Sequence, residues 1–266
     1  MTDPMAPFAA APPGWMTFEF PGNERTRSLL RIESLMKRCR EFIASETHMD
    51  HQAALWSLFE LFDLVGGRGD IKSELLQELE RQRSRLNQYS GKPGVSDEAL
   101  TGFLEQLQNS FTDLSTAQTR LGPHIMEVEW LQLLKGRFGI PGGICEFDVP
   151  SLHVWLHRPV EVRQTLLNGW LLTLRPVYES AASILRLLRE GTQSDSYVAT
   201  NGFFQLNIDG RQSQLIRVAV PKQPEVVAEI SANKYVVSVR FRQLEANMHL
   251  KACEQDIAFQ LSLCNF

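Results

Sequence analysis

Apolar residues recur at helical spacing from about residue 24 to residue 190. Nearer the end of the chain they fall at alternate positions, as in strands. Glu24 to Ala44 carries the first stripe, with Leu29, Ile32, Leu35, Met36, Cys39, Phe42 and Ile43 on one face. Asp50 to Val65 is apolar nearly all round (Leu55, Trp56, Leu58, Phe59, Leu61, Phe62), which predicts a central helix. Asp70 can cap a third helix that runs to about Tyr89, with Ile71, Leu75, Leu79 and Leu86 inward. Ser96 can cap a fourth to about Phe111, and helical character resumes from Asp113 to Leu121 before Gly122-Pro123. Ile125 to Phe138 and Val160 to Glu190 complete the helical part, the latter with a kink expected at Pro176.

The grammar changes around residues 140–159. Pro141, Gly142 and Gly143 stop the preceding helix. Cys145 to Val149 reads as a short extended run, and Pro150 holds Val149 out of the helical region. Ser151 can cap a short helix that puts Leu152, Trp155 and Leu156 on one face and His153 and His157 on another.

Beyond Tyr197 the period is two. Phe204, Leu206 and Ile208 lead to Asp209-Gly210, a hairpin signal, with Ile216, Val218 and Val220 as the return strand. Tyr235 to Arg242 and Ile257 to Leu263 alternate in the same way. Four such strands predict a sheet with one buried face. The runs 17–20 and 144–149 are candidates to join it. The fold class expected is α+β: an N-terminal helical bundle domain joined to a C-terminal antiparallel β-sheet or sandwich domain. The divisions are a disordered lead-in over 1–16, rich in Pro and Ala, a mainly helical domain over 17–192 and a β domain over 193–266.

Composition narrows the function. The chain has 266 residues, 43% of them hydrophobic, and its net charge is −4 from 27 basic and 31 acidic side chains. An acidic total argues against a general nucleic-acid binder. The four cysteines form no C-x-x-C pair, which fits a reducing cytoplasm and disfavours a zinc ribbon. The N-terminus lacks signal-peptide features, and no run approaches the ~20 apolar residues that span a bilayer. A cytoplasmic protein without membrane insertion is expected.

No nucleotide-binding glycine motif and no ordered nucleophile, base and orienter can be found. His48 and His51, beside Glu46 and Asp50, read as a helix cap and surface histidines rather than metal ligands. His153 and His157, with Cys145, Glu146 and Asp148 nearby, are the better metal candidates, and a metal-dependent hydrolase built on them is the alternative reading. The leading class is a non-catalytic protein without a cofactor. Arg27, Arg31 and Arg38 fall close together on the first helix, either as a solvated face or as a cationic strip for an anionic segment.

Several blocks carry a resemblance. They are Phe18-Glu19-Phe20-Pro21 with Asn23-Glu24 and Leu30-Arg31-Ile32-Glu33, then Glu74 to Gln82, then Gly94-Val95. The clearest is Ile140-Pro141-Gly142-Gly143 with Phe147-Asp148, Pro150, Leu152-His153, Trp155-Leu156-His157 and Pro159; Asn201-Gly202-Phe203 opens the strand part. In these the chain resembles the ZapD family of cytoplasmic bacterial proteins associated with the tubulin-like division protein FtsZ. The resemblance implies a helical domain joined to a β domain, a homodimer and no enzyme activity. It also implies binding of the FtsZ C-terminal tail, and bundling of filaments at the midcell division ring. Basic residues of the helical domain would receive the tail. Arg31 and His153 match family motifs, Arg27 matches the family's first helix, and Arg240 matches a basic position among the strands. Where relatives carry arginine before the Ile-Pro-Gly-Gly helix end, this chain reads Glu127-Val128-Glu129-Trp130, which leaves Lys135 and Arg137 to contribute.

Overall fold

In a computed structural model of the chain, residues 14–66, 70–92, 96–117, 127–210, 212–223 and 225–265 are described. Most of the Pro/Ala lead-in, the Arg68-Gly69 turn, the Pro93-Gly94-Val95 turn and the Gly122-Pro123 break lie outside them. The chain forms two compact units, one over Ser28–Ile184 and the other combining Met1–Arg27 with Leu185–Phe266.

Described helices are α1 (Glu24–Ala44), α2 (His48–Gly66), α3 (Ile71–Asn87), α4 (Asp97–Thr116), α5 (Glu129–Arg137), α6 (Pro150–Leu156), α7 (Val160–Leu172) and α8 (Arg175–Glu190). The stripe of α1 buries Leu29, Ile32, Met36, Cys39 and Ile43. Burial pushes the Cys39 thiol up to about 12, which keeps it protonated and unreactive. Helix α2 is buried nearly all round as its composition predicts, but Trp56 stays at the surface. Asp70 caps α3 by accepting from the Ser73 N–H at 3.1 Å, and Ser96 caps α4 from the Ala99 N–H at 3.3 Å.

Four local expectations are corrected. Helix α4 runs unbroken to Thr116, because Leu100, Leu107 and Leu114, seven apart, keep one buried stripe through it. Its C-terminal carbonyls are held by Lys72, whose Nζ donates to Ser115 O at 3.2 Å and Ala117 O at 2.6 Å, a cation at the negative end of the helix. The long helix after residue 160 is two helices, parted at Thr173–Leu174. Pro176 sits in the first turn of α8, where a missing N–H costs nothing. The stretch 140–148 is a succession of turns rather than an extended run. Gly142 has φ +70°, and a Cβ on Gly143 would lie 2.7 Å from Ile140 Cβ and 2.9 Å from Arg137 O. The chain therefore folds back on the end of α5. Pro150, not Ser151, opens α6.

The β unit holds two antiparallel sheets. The first has the order β1 (Trp15–Pro21), β4 (Leu215–Pro221), β8 (Ile257–Cys264), β2 (Asp195–Ala199). The second has the order β3 (Phe203–Asn207), β6 (Val236–Leu244), β5 (Val226–Ala232), with β7 (Leu250–Ala252) also paired to β6. Their inner faces share one core of Val218, Val220, Val237, Val239, Phe241, Phe259 and Leu261, so the unit is a sandwich. The run 17–20 is the middle of β1, with Phe18 opposite Val218 and Glu19 opposite Arg217. The Asp209-Gly210 turn exists, with φ of 45° and 80°, yet it makes no hairpin. Strand β3 pairs with β6, whereas both sides of β4 are taken by β1 and β8. The turn carries the chain from one sheet to the other.

Candidate partner-binding site

The geometry at α6 starts from Trp155. Its ring lies 5.9 Å from Trp130, 6.4 Å from Trp170 and 6.5 Å from His51, centre to centre, and it is buried. Trp155 anchors the inner face of α6, and the helical period then leaves His153, Val154 and His157 at the surface. The His153 and His157 rings are 4.4 Å apart, and His48 of α2 lies 5.2 Å from His157. Loss of hydration, then the Arg163 charge and the neighbouring His157 and His51, hold the His48 pKa below the usual histidine value.

Behind these rings sits a polar knot that the sequence did not disclose. His51, read as a surface residue, is fully buried; its Nε2 lies 2.8 Å from Ser45 O and 3.3 Å from Ile43 O. Arg163, also buried, donates to Leu156 O and Glu46 O, both at 3.0 Å. Gln164 Nε2 donates to Ile43 O at 3.0 Å and Ser45 O at 3.2 Å. Carbonyls after the last turn of α1 and at the end of α6 are thus satisfied from α7. At the start of α2, Asp50 accepts from the Ser45 and Thr47 hydroxyls, which hold its carboxyl below the usual value.

Lys135 and Arg137, from the last turn of α5, join the same region through partners. Lys135 pairs with Asp63 of α2, and Arg137 donates to Asp148 at 2.6 Å. Phe138 packs on Trp56 at 4.9 Å and on Phe59 at 5.6 Å, which seats the end of α5 on α2. Glu146, in the same turn segment as Asp148, reaches His153 Nδ1 at 3.5 Å. Arg137 and His153 thus meet carboxylates of one turn segment, while Lys135 is held against α2. Glu129, part of the acidic departure noted above, lies in the first turn of α5, where the helix dipole favours a carboxylate.

The arginines of α1 differ from one another. Arg27 pairs with Glu24 at 3.1 Å, and Arg31 is exposed. Arg38 donates to Ser57 Oγ at 2.9 Å and pairs with Glu60, so it bridges α1 to α2. Glu60 is accordingly engaged by Arg38. Arg240 belongs to the β unit, exposed on the outer face of the second sheet. It lies opposite Phe203 and Glu229, with its guanidinium 5.9 Å from the Phe203 ring. The six residues singled out from the sequence are thus divided between the two units.

Among the described residues no three His, Cys, Asp or Glu side chains are placed to hold a metal ion. The His153 and His157 rings are tilted against each other at 47°, and His157 Nδ1 is engaged with His153 O at 2.8 Å. None of the described helices is long and apolar enough to cross a membrane.

A family model described as the cell division protein ZapD matches residues 30–240. A curated relative, the cell division protein ZapD of Dechloromonas aromatica (strain RCB), is 43% identical over 251 residues, which cover 94% of this chain and 99% of the relative.

Proposed function

Because the chain belongs to the ZapD family of cell division proteins, we propose that it binds the C-terminal tail of FtsZ and cross-links FtsZ filaments as a homodimer at the division ring. The likeness to that family over nearly the whole chain carries this reading. It is supported by the placement of Arg137 and His153 against carboxylates of one turn segment, and by the exposure of Arg31. The action is binding in the cytoplasm, without chemistry on the partner. One protomer offers one tail site, and two-fold symmetry doubles it. Two sites engage two filaments, and repetition along each filament multiplies a weak contact.

Arg31 provides the first test. Arg31→Glu is expected to weaken the apparent affinity for FtsZ filaments about fivefold, the equivalent of roughly 1 kcal/mol for an exposed contact reversed in sign. The protein should stay folded, since an exposed side chain contributes about 1 kcal/mol or less to stability. Co-sedimentation at low and moderate salt reads the effect, which should shrink as salt rises. Pelleting equal to wild type would remove Arg31 from the site.

A further inference from the structure

The turn segment between α5 and α6 holds a phenyl ring in water. Phe147 is 79% exposed, yet the backbone beneath it is braced. The Asp148 and Val149 N–H groups both donate to Cys145 O, at 2.9 and 3.0 Å, and Asp148 is tied to Arg137. Ile140 of the same segment is 53% exposed, and Val154 on the outer face of α6 is 62% exposed. Glu146, next to Phe147, reaches His153, next to Val154, which brings the turn segment close to α6 at these positions. A scattered apolar residue at the surface is ordinary. Three on one braced segment and its adjoining helix mark an interaction surface.

The charges around it indicate the occupant. Arg137 is paired with Asp148, and His153 Nδ1 lies against Glu146, so neither is open to an incoming carboxylate. Arg158, one turn beyond Val154, is exposed and has no ion pair among the described residues. It offers an open seat for an anion. Glu146 and Asp148, on either side of Phe147, would repel an anionic lipid surface.

We propose that Ile140, Phe147 and Val154, with Arg158 at their border, dock a peptide through a large apolar side chain that has a carboxylate next to it in the peptide chain. This rests on the reading that the chain binds the FtsZ tail, and it adds an apolar anchor to what would otherwise be a purely ionic contact. The anchor seats on Phe147, and the carboxylate is received by Arg158. Binding then has a component that salt does not screen.

Cys145 makes the test local. It is the exposed cysteine, whereas Cys39, Cys253 and Cys264 are buried, so a thiol reagent reports on this face. The full chain is titrated with a synthetic peptide of the FtsZ tail, and modification of Cys145 is timed with and without saturating peptide. Slowing of at least about fivefold is expected from a covered thiol. Phe147→Ser should weaken peptide binding about tenfold or more at both low and high salt. Arg158→Ala should weaken it at low salt and much less at high salt. Both side chains are exposed, so both variants keep the fold. If the wild-type chain binds the peptide but Cys145 stays fully reactive, or if Phe147→Ser binds like wild type, this surface is not the dock. Protection of Cys145 by phosphatidylglycerol vesicles rather than by the peptide overturns it in favour of a lipid surface. A wild-type chain that binds no tail peptide rejects the tail-binding reading itself.

Discussion

Glu19→Gln is expected to destabilise the β unit by about 2–3 kcal/mol, at or just below the roughly 3–5 kcal/mol that breaking a fully buried ion pair costs. Glu19 lies on β1, and its Oε1 accepts from Arg189 Nε at 2.8 Å and from Arg217 Nε at 3.0 Å. Its Oε2 accepts from Arg189 Nη2 at 2.6 Å. The Arg189 side chain is only 8% exposed, and Glu19 and Arg217 are each 19% exposed, so water compensates little. Glutamine keeps one acceptor but replaces the other with an N–H donor facing a guanidinium. Two cations are then left against each other at the junction of β1, β4 and α8. The partial exposure of the cluster is why the figure stays at the lower end. Urea unfolding of the variant against wild type measures it. A loss below about 0.5 kcal/mol would mean that water already does the work of the carboxylate.

The second large effect is at Arg163. Arg163→Ala is expected to cost about 3 kcal/mol, because two part-buried carbonyls lose their donor and a cavity replaces a long buried side chain. Arg163 spans from Leu156 O to Glu46 O, joining the end of α6 to the turn before α2. Its charge has no carboxylate partner among the described residues and lies among helix-end carbonyls, which carry partial negative charge. Arg163→Lys should recover only part of the loss, since one ammonium cannot copy a planar fork that spans two carbonyls. The same variants should loosen the seating of His48 and His157, whose rings lie in front of this knot. Urea unfolding gives the stability, and histidine NMR shifts give the seating. A stability equal to wild type in Arg163→Ala would show that water satisfies both carbonyls.

What the sequence disclosed follows the range of each signal. The stripes of α1 and α3 were legible because side chains three and four apart must share a face, and their caps were legible because Asp70 and Ser96 act within three residues. The alternation of β1 was legible too. Its partner was not, because Glu19 meets Arg217 across 198 positions and no local pattern encodes that pairing. Asp209-Gly210 announced a turn, which is local chemistry, but not the sheet to which the next strand belongs. At the candidate site, the exposure of His153 and His157 came from the helical period. The burial of His51 and the role of Arg163 did not, because both act on backbone carbonyls, which have no sequence signature. The turns at 145–148, expected as part of an extended run, escape the sequence for a related reason. A glycine pair signals a break, whereas the direction of the chain after it is set by the Arg137–Asp148 bond across the turn.

The central claim is that this ZapD-family protein acts by capturing the FtsZ tail and linking filaments, and one co-sedimentation measurement tests it most directly. The purified chain is spun with polymerised FtsZ, in parallel with FtsZ lacking its C-terminal tail. The account predicts bundles that pellet with the full-length partner and neither bundling nor co-pelleting once the tail is gone. Equal pelleting with the tail-less filaments would contradict it.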